Sequence, residues 1–276
     1  MNDPGNHGPV VVKLGGSLLE DSARRAAALD ALAARVRVAP SHQRQDGPLV
    51  LVHGGGRHVD AWLGRLGIPR RMHQGIRVTD APTLDTVVAV LSGLVNSMLV
   101  AELAARGVEA FGFSGIDGRL LEAAPMDPAP EPGGAVDFGH VGQIARANAR
   151  PVRALIGAGY VPVIASLALG PGSRVLNVNA DAAASAIAAA LEARRLVFLT
   201  DVEGLLDPRG HRVRRLSAAR ARDLLQGAAV SGGMRPKLHA CLDALESGVG
   251  QVLIAGPAAQ QRALLRGQGG TRLVAA

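Results

Sequence analysis

The chain has 276 residues, enough for one large α/β domain or two small ones, and a formal net charge of +7. Hydrophobic residues make up 48% of it and aromatic residues only 2%, so the core is aliphatic and no aromatic series is present for stacking bases. The arginines are scattered without forming a block, which reads as a solvated basic surface that attracts anionic substrates, not as a nucleic-acid interface.

Cys241 is the single cysteine, which excludes an intrachain disulfide and a cysteine metal cluster; inert core packing is its reading. Met1 to Pro9 is polar and lacks the basic-then-apolar order of a signal peptide, so a cytoplasmic protein is expected.

Val10-Val11-Val12 reads as a buried strand that ends in Lys13-Leu14-Gly15-Gly16. A buried lysine must snorkel or meet an anion, because leaving it unpaired is costly. Bare glycine N–H groups beside it suit an oxyanion. A second run, Leu49–His53, leads into Gly54-Gly55-Gly56, where another molecule can approach the backbone closely. His53 reads as a strand-end histidine satisfying a backbone group. Val59, Trp62, Leu63 and Leu66 then keep helical spacing.

The segment Gly75 to Asp80 leads into another helix, with Arg77 either an ordinary surface arginine or a bidentate carboxylate holder. Leu84 to Leu103 is the most apolar stretch; Asp85, Ser92, Asn96 and Glu102 interrupt it, so it reads as a buried helix and not a membrane span. Ala110–Ser114 and Val161–Ala165 are further strands. The Pro- and Gly-rich segment from Glu122 to Phe138 reads as a long hairpin or lid.

Asn177-Val178-Asn179-Ala180-Asp181 precedes an alanine-rich helix predicted over 181–195. Asn179 or Asp181 can cap it; if extended, the segment instead sets Asn177, Asn179 and Asp181 on one side, where they could grip a substrate. Leu196–Asp201 and Gln251–Ala255 complete the predicted strands. Thr200 to Leu206 reads as a nucleotide-edge loop or a surface turn. Gly232-Gly233-Met234-Arg235-Pro236-Lys237 is a third glycine and lysine group. Buried runs alternating with helices indicate a mainly parallel sheet between helix layers, with a cleft at the strands' carboxyl ends. Three anion-compatible groups on that sheet suggest phosphoryl transfer.

The ordered motifs KLGG, HGGG, GIRVTD, GFSGIDG, FGHVG, NVNAD, LTDVEGLLD, SGGMRPK and the terminal Gly270-Thr271 resemble the amino acid kinase family, and within it the branch that phosphorylates N-acetyl-L-glutamate. The resemblance runs from Val10 to Leu273. It implies an α/β fold, a three-layer αβα sandwich with a mostly parallel central sheet of about eight strands. It also implies a single domain over 1–276, with an N-terminal lobe (about 9–170) for the amino-acid substrate and dimerisation and a C-terminal lobe (about 171–276) for ATP.

By motif, the resemblance makes Lys13 and Lys237 the charges on the transferring phosphoryl group, with Asp181 holding both. Gly15 and Gly16 would offer N–H groups on the ATP side. Gly55, Gly56, Arg77 and Asn177 would bind acetylglutamate. Asp201, Val202, Glu203, Gly204, Leu205 and Leu206, with Ala229, Val230 and Ser231, would border the nucleotide. ATP would carry Mg²⁺ with no metal ligand from the protein, and the partners implied are the small substrate and a second copy in a homodimer, with neither nucleic acid nor membrane. Arginine-inhibited members have an extra N-terminal helix; only a short polar tail precedes Val10, so a plain dimer without arginine feedback is expected. The branch usually has a lysine after Asn96, where this chain has Ser97.

Elementary chemistry agrees. A carboxylate acceptor is ionised at pH 7, so it needs no general base. The obstacle is repulsion between anions, which two lysines can offset, each by roughly 3 kcal/mol. The alternatives are a kinase of carrier-protein-linked glutamate or aminoadipate, which the positive charge suits but the complete GIRVTD does not, and a non-catalytic amino acid or nucleotide sensor, which the retained Lys13, Asp181 and Lys237 argue against. A Rossmann dehydrogenase is disfavoured because no G-x-G-x-x-G follows the first strand.

Overall fold

Eight of the strands among the described residues form one sheet: β1 (Val10–Leu14), β2 (Leu49–His53), β3 (Ala110–Ser114), β4 (Val161–Ala165), β5 (Arg195–Leu199), β6 (Arg215–Ser217), β7 (Val252–Ala255) and β8 (Thr271–Val274). The computed structural model describes residues 8–37, 47–131, 134–207, 209–226 and 234–275. The strand order is β6-β8-β7-β5-β1-β2-β4-β3. All neighbours are parallel except β7 and β8, so β8 and β6 run against the other six. This is the expected mostly parallel sheet.

The helices are α1 (Gly16–Glu20), α2 (Ser22–Arg37), α3 (Gly56–Leu66), α4 (Ala81–Val88), α5 (Asn96–Ala104), α6 (Arg150–Gly157), α7 (Ala180–Ala190), α8 (Ala218–Gln226), α9 (Met234–Glu246) and α10 (Gln260–Arg266). Strand alternation distributes them over two faces. Val10 and Val12 pack with Leu32 of α2, Leu63 of α3, Leu99 of α5 and Leu264 of α10. Val11 points the other way and packs with Ile187 of α7, Leu225 of α8 and Leu238 of α9. Both faces of the sheet are covered, which is why its strands are continuous Val/Leu/Ile runs rather than alternating ones.

The segment read as a long hairpin is one. Leu121–Pro125 pairs antiparallel with Val141–Ala147, and at its tip Ala129–Glu131 pairs with Gly134–Val136. With Leu167–Leu169 and Val175–Val178, the two long arms close a small four-stranded barrel beside the main sheet, which the sequence did not announce.

Two expectations need correction. The alanine-rich helix stops at Ala190, not at 195: Glu192 takes a left-handed conformation (φ +53°) and the chain turns into β5 at Arg195. That strand ends at Leu199, so Asp201 lies in the loop beyond it. The apolar helix read as buried packs one face into the core. Ala81–Ala104 is long and apolar enough to cross a membrane by length and composition. It runs as α4, a π-helical stretch Ala89–Val95, and α5. Val87, Leu91, Val95, Leu99 and Leu103 pack into the core, while Leu94 is 44% exposed on the opposite side. Cys241 is buried, and burial pushes its thiol up, as inert packing requires.

Candidate active site

β1 delivers Lys13 one residue before the strand ends, in register with Phe198 of β5 and Val52 of β2. The residue is 7% exposed, so it meets the cost of burial through a partner. That partner is Asp181, whose Oδ1 lies 2.9 Å from Lys13 Nζ. Lys237, in the first turn of α9, sends its Nζ to the same carboxylate at 3.1 Å from each oxygen. Asp181 is 6% and Lys237 7% exposed. The Lys237 ammonium also stands 5.3 Å from the centre of the Phe198 ring, a cation–π contact.

The electrostatics of this trio are those of a buried +2/−1 cluster. Burial lowers the Lys13 ammonium below its ordinary value; Asp181 opposes the shift and Lys237 adds to it. Burial alone would raise Asp181, but the two ammonium groups outweigh it and hold the carboxyl below the usual range. One net positive charge is left over at the carboxyl end of the sheet, which favours an anion.

Asn179 is the cap of α7: its Oδ1 accepts the N–H groups of Asp181 (2.8 Å) and Ala182 (3.1 Å). The extended alternation therefore stops at Val178, and Asp181 faces the lysines from the first helical turn. Asn177, on the preceding strand, donates to Thr79 Oγ1 at 3.2 Å. The cap of α4 is Asp80, which accepts from Thr83 N–H at 3.1 Å; Arg77 stands three residues before it, not in a loop but on the two-residue strand Ile76–Arg77, paired with Met72–His73.

A cavity of about 590 Å³ opens beside the trio. Lys13, Asp181, Gly16, Gly54, Gly55 and Gly56 line one side. Gly55 sits at the start of α3, where a β-carbon would come 2.8 Å from Leu91 and 3.3 Å from Val95 of the apolar helix; only glycine fits there. No side chain caps α3, which leaves its first N–H groups for a ligand. Arg77 and Asn177 line the cavity too. The Arg77 guanidinium is fixed by a hydrogen bond from Nη2 to Gly56 O (3.0 Å) and by an ion pair with Asp60.

The other sequence candidates fall elsewhere. Gly15 is held at the end of β1 by donating its N–H to Leu199 O at 3.0 Å, and a β-carbon there would press on the same oxygen. That N–H is already used, so Gly16 alone of the pair faces the cavity. Asp201 lies near enough to Lys13 to favour its charge. Burial would raise Asp201, but the hydroxyls of Ser17 and Thr200 keep it low. Glu203 Oε1 accepts Ala258 N–H, and Leu205 N–H donates to Thr271 Oγ1 at 2.8 Å, so both residues pin the loop. A β-carbon on Gly204 would run into Thr271, while Val202 and Leu206 are exposed apolar side chains. Ala229, Val230 and Ser231, with Gly232 and Gly233, lie outside the described residues.

His53 is fully buried and structural. Its Nδ1–H donates to Gly54 O at 2.8 Å, and its Nε2 accepts from Asn96 Nδ2 at 3.0 Å. Burial brings the imidazole down to about 4, so it is neutral at pH 7. Asn96 also donates to Val163 O. Ser97, the next residue, is exposed and lies outside the cavity lining. The departure from lysine at that position thus removes no cation from the site.

Pro236, His239, Ala240 and Asp243 also line the cavity and were missed. Their i, i+3, i+4, i+7 spacing on α9 is a signal the sequence does carry. Burial pushes the Asp243 carboxyl up, against the opposing pull of His239.

Known proteins resemble this chain over most of its length. An acetylglutamate kinase of Solibacter usitatus is 42% identical over 271 residues, covering 97% of this chain and 99% of that protein. One from Methanopyrus kandleri is 46% identical over 208 residues, 74% of this chain and 84% of that protein. Among solved structures, N-acetylglutamate synthase from Neisseria gonorrhoeae complexed with coenzyme A and N-acetyl-glutamate superposes with a TM-score of 0.77 at 28% identity, over 98% of this chain and 60% of that one. Carbamate kinase from Giardia lamblia bound to AMP-PNP shares the fold, with a TM-score of 0.65 at 16% identity over 98% of this chain and 99% of that one. The Amino acid kinase family matches residues 8–256, from just before β1 to just past β7. A match that takes in both lysines and the carboxylate between them leaves one conclusion: this chain belongs to the amino acid kinase family.

Proposed function

We propose that this enzyme uses ATP to phosphorylate the side-chain carboxylate of N-acetyl-L-glutamate in arginine biosynthesis, acting in the cytoplasm. The observation that carries the reading is the Lys13–Asp181–Lys237 trio beside a cavity rimmed by Arg77 and the triple glycine. The similarity to acetylglutamate kinases supports the acceptor.

An oxygen of the acceptor carboxylate attacks the terminal phosphorus of ATP. The new C–O–P bond forms as the bond to the leaving oxygen breaks, and ADP departs with that electron pair. No proton moves. Lys13 and Lys237 meet the charge on the phosphoryl oxygens, and Asp181 fixes both ammonium groups before the substrates arrive, so little reorganisation remains for the reaction itself. Gly16 and the open start of α3 donate N–H groups towards the anions. Arg77, braced by Gly56 O and Asp60, presents its guanidinium to the α-carboxylate of the acceptor, and Asn177 positions the amide end.

Mg²⁺ would arrive on the nucleotide and offset phosphate charge there. Substrate lies over the N-terminal half of the chain, which supplies residues 54–56, 72 and 75–77 to the cavity. ATP lies over the C-terminal half, with Asp201 to Leu206 along its edge. A second copy covers the half-exposed apolar helix: Leu94, Phe111 and Tyr160 are 44%, 45% and 40% exposed, and β3 is an open sheet edge beside them.

Trapping the acyl phosphate with hydroxylamine tests the reading, with acetylglutamate, glutamate, aspartate, aminoadipate and their carrier-linked forms as acceptors. Hydroxamate from acetylglutamate at a kcat/KM well above the others is expected. Product only from a carrier-linked acceptor would replace the substrate, and product from none would point to a sensor.

A further inference from the structure

At the amino end of the same sheet, opposite the lysine trio, lies a second concavity of about 400 Å³. Arg195 opens β5 in register with Val10, three residues before Lys13, so about 10 Å of strand separates the two levels. Four arginines line this pocket: Arg194 and Arg195 at the start of β5, Arg266 at the end of α10, and Arg272 on β8. No Asp or Glu of the described residues is among its lining side chains.

The floor is built. Arg195, 4% exposed, donates Nε–H to Gln251 Oε1 at 2.8 Å, and Gln251 Nε2 donates to Gly267 O at 2.8 Å. A β-carbon on Gly267 would lie 2.5 Å from both Arg195 Nη2 and Gln251 Oε1, and the residue caps α10 in the left-handed region (φ +62°). The glycine lets the guanidinium and the amide close under the pocket.

A second observation concerns the sheet edge. Arg272 is the register partner of Arg215 on β6, so two cations project from the same face of neighbouring strands. Among the described residues neither Arg266 nor Arg272 forms an ion pair, and both are exposed. Arg266 and Arg272 therefore set two exposed guanidiniums along a pocket whose lining carries no carboxylate, and their natural counterpart is one ligand bearing several negative charges. Guanidinium forks match phosphate oxygens in pairs.

We propose that this pocket is a binding site for an oligophosphate anion, a chain of two or three phosphates, separate from the nucleotide at the lysine trio. Binding of sodium tripolyphosphate to the full chain, measured by isothermal titration calorimetry with the catalytic crevice filled by Mg²⁺ and AMP-PNP, tests it. The expected result is saturable binding that persists with AMP-PNP present and weakens at least tenfold in the R266Q/R272Q double variant. That variant should keep the wild-type kcat and KM, which reports an intact fold. Inorganic phosphate, with fewer charges, should bind more weakly than tripolyphosphate. Binding abolished by AMP-PNP would assign the anion to the catalytic crevice. Equal binding by the double variant, or by a single R272Q variant should the double one prove unstable, would overturn the proposal.

Discussion

Changing Asp181 to Asn keeps the side chain's shape and removes the one negative charge between two buried ammonium groups. Lys13 Nζ and Lys237 Nζ reach the same Oδ1 at 2.9 and 3.1 Å, which keeps them within about 6 Å of each other. At an effective dielectric of about 20 their repulsion there is about 3 kcal/mol, equivalent to about two pKa units. Burial already lowers Lys13, with Asp181 the main opposing influence, so Asp181→Asn should strip the proton from one lysine at a lower pH. The expected outcome is a kcat about a hundredfold down at pH 8, with residual activity that rises as the pH is lowered toward 6. The wild type should show no such rise. Hydroxylamine-coupled rates across pH 6 to 9 read this directly, at a temperature where circular dichroism shows both proteins folded. The check on folding matters because breaking a buried ion pair costs about 3–5 kcal/mol. A variant within fivefold of the wild type at pH 8, or one whose profile runs parallel to it, would refute the reasoning.

Lys237→Ala should lower kcat by at least about a hundredfold while nucleotide still binds, as followed by equilibrium titration; near-normal turnover removes its assigned role. Arg77→Ala should chiefly raise KM for acetylglutamate, and a lowered kcat at unchanged KM would take Arg77 out of substrate binding. His53 stays neutral in the fold to about pH 4 but protonates near 6.5 when unfolded, so the unfolded state gains a proton first as the pH falls. Stability should therefore drop between pH 6.5 and 4, by up to about 3 kcal/mol from this residue. In His53→Gln that share of the drop should vanish in urea melts, and identical slopes for the two proteins would count against it. Gly112→Ala would drive a β-carbon into Asn96 Oδ1 and against Val100, with Asn96 locked by His53 and Val163. A loss on the order of 2 kcal/mol is expected in thermal unfolding, and an unchanged midpoint would show that Asn96 can move.

Much of the sheet was written in local pattern. Six of its eight strands are apolar runs; five of them are buried along their whole length, because a strand covered on both faces needs no polar side, while β3 is apolar yet half-exposed at an edge. The two that were missed are β6, three residues long at the sheet's edge, and its neighbour β8, four residues long, each with an exposed arginine. A short strand with an exposed arginine carries no such run. Lys13 and Asp181 stood out as a charge on a buried strand and a polar excess at a helix start, and both are local anomalies that invite a partner. Which partner each takes is not local. Lys237 lies 224 positions from Lys13 and 56 from Asp181, and nothing in either neighbourhood encodes their meeting at one carboxylate.

The same division holds for the rest of the molecule. Sequence alone determined the layers, the glycine turns and the residue types available for the chemistry, since backbone conformation and side-chain burial follow short-range patterns. Tertiary structure decided which N–H groups are free and which are used, sending that of Gly15 to β5 and leaving Gly16 facing the cavity. It placed Ser97 outside the site, and it gathered arginines from two strands and a helix end around one pocket. Those outcomes depend on strand order and register, which bring together groups that are distant along the chain.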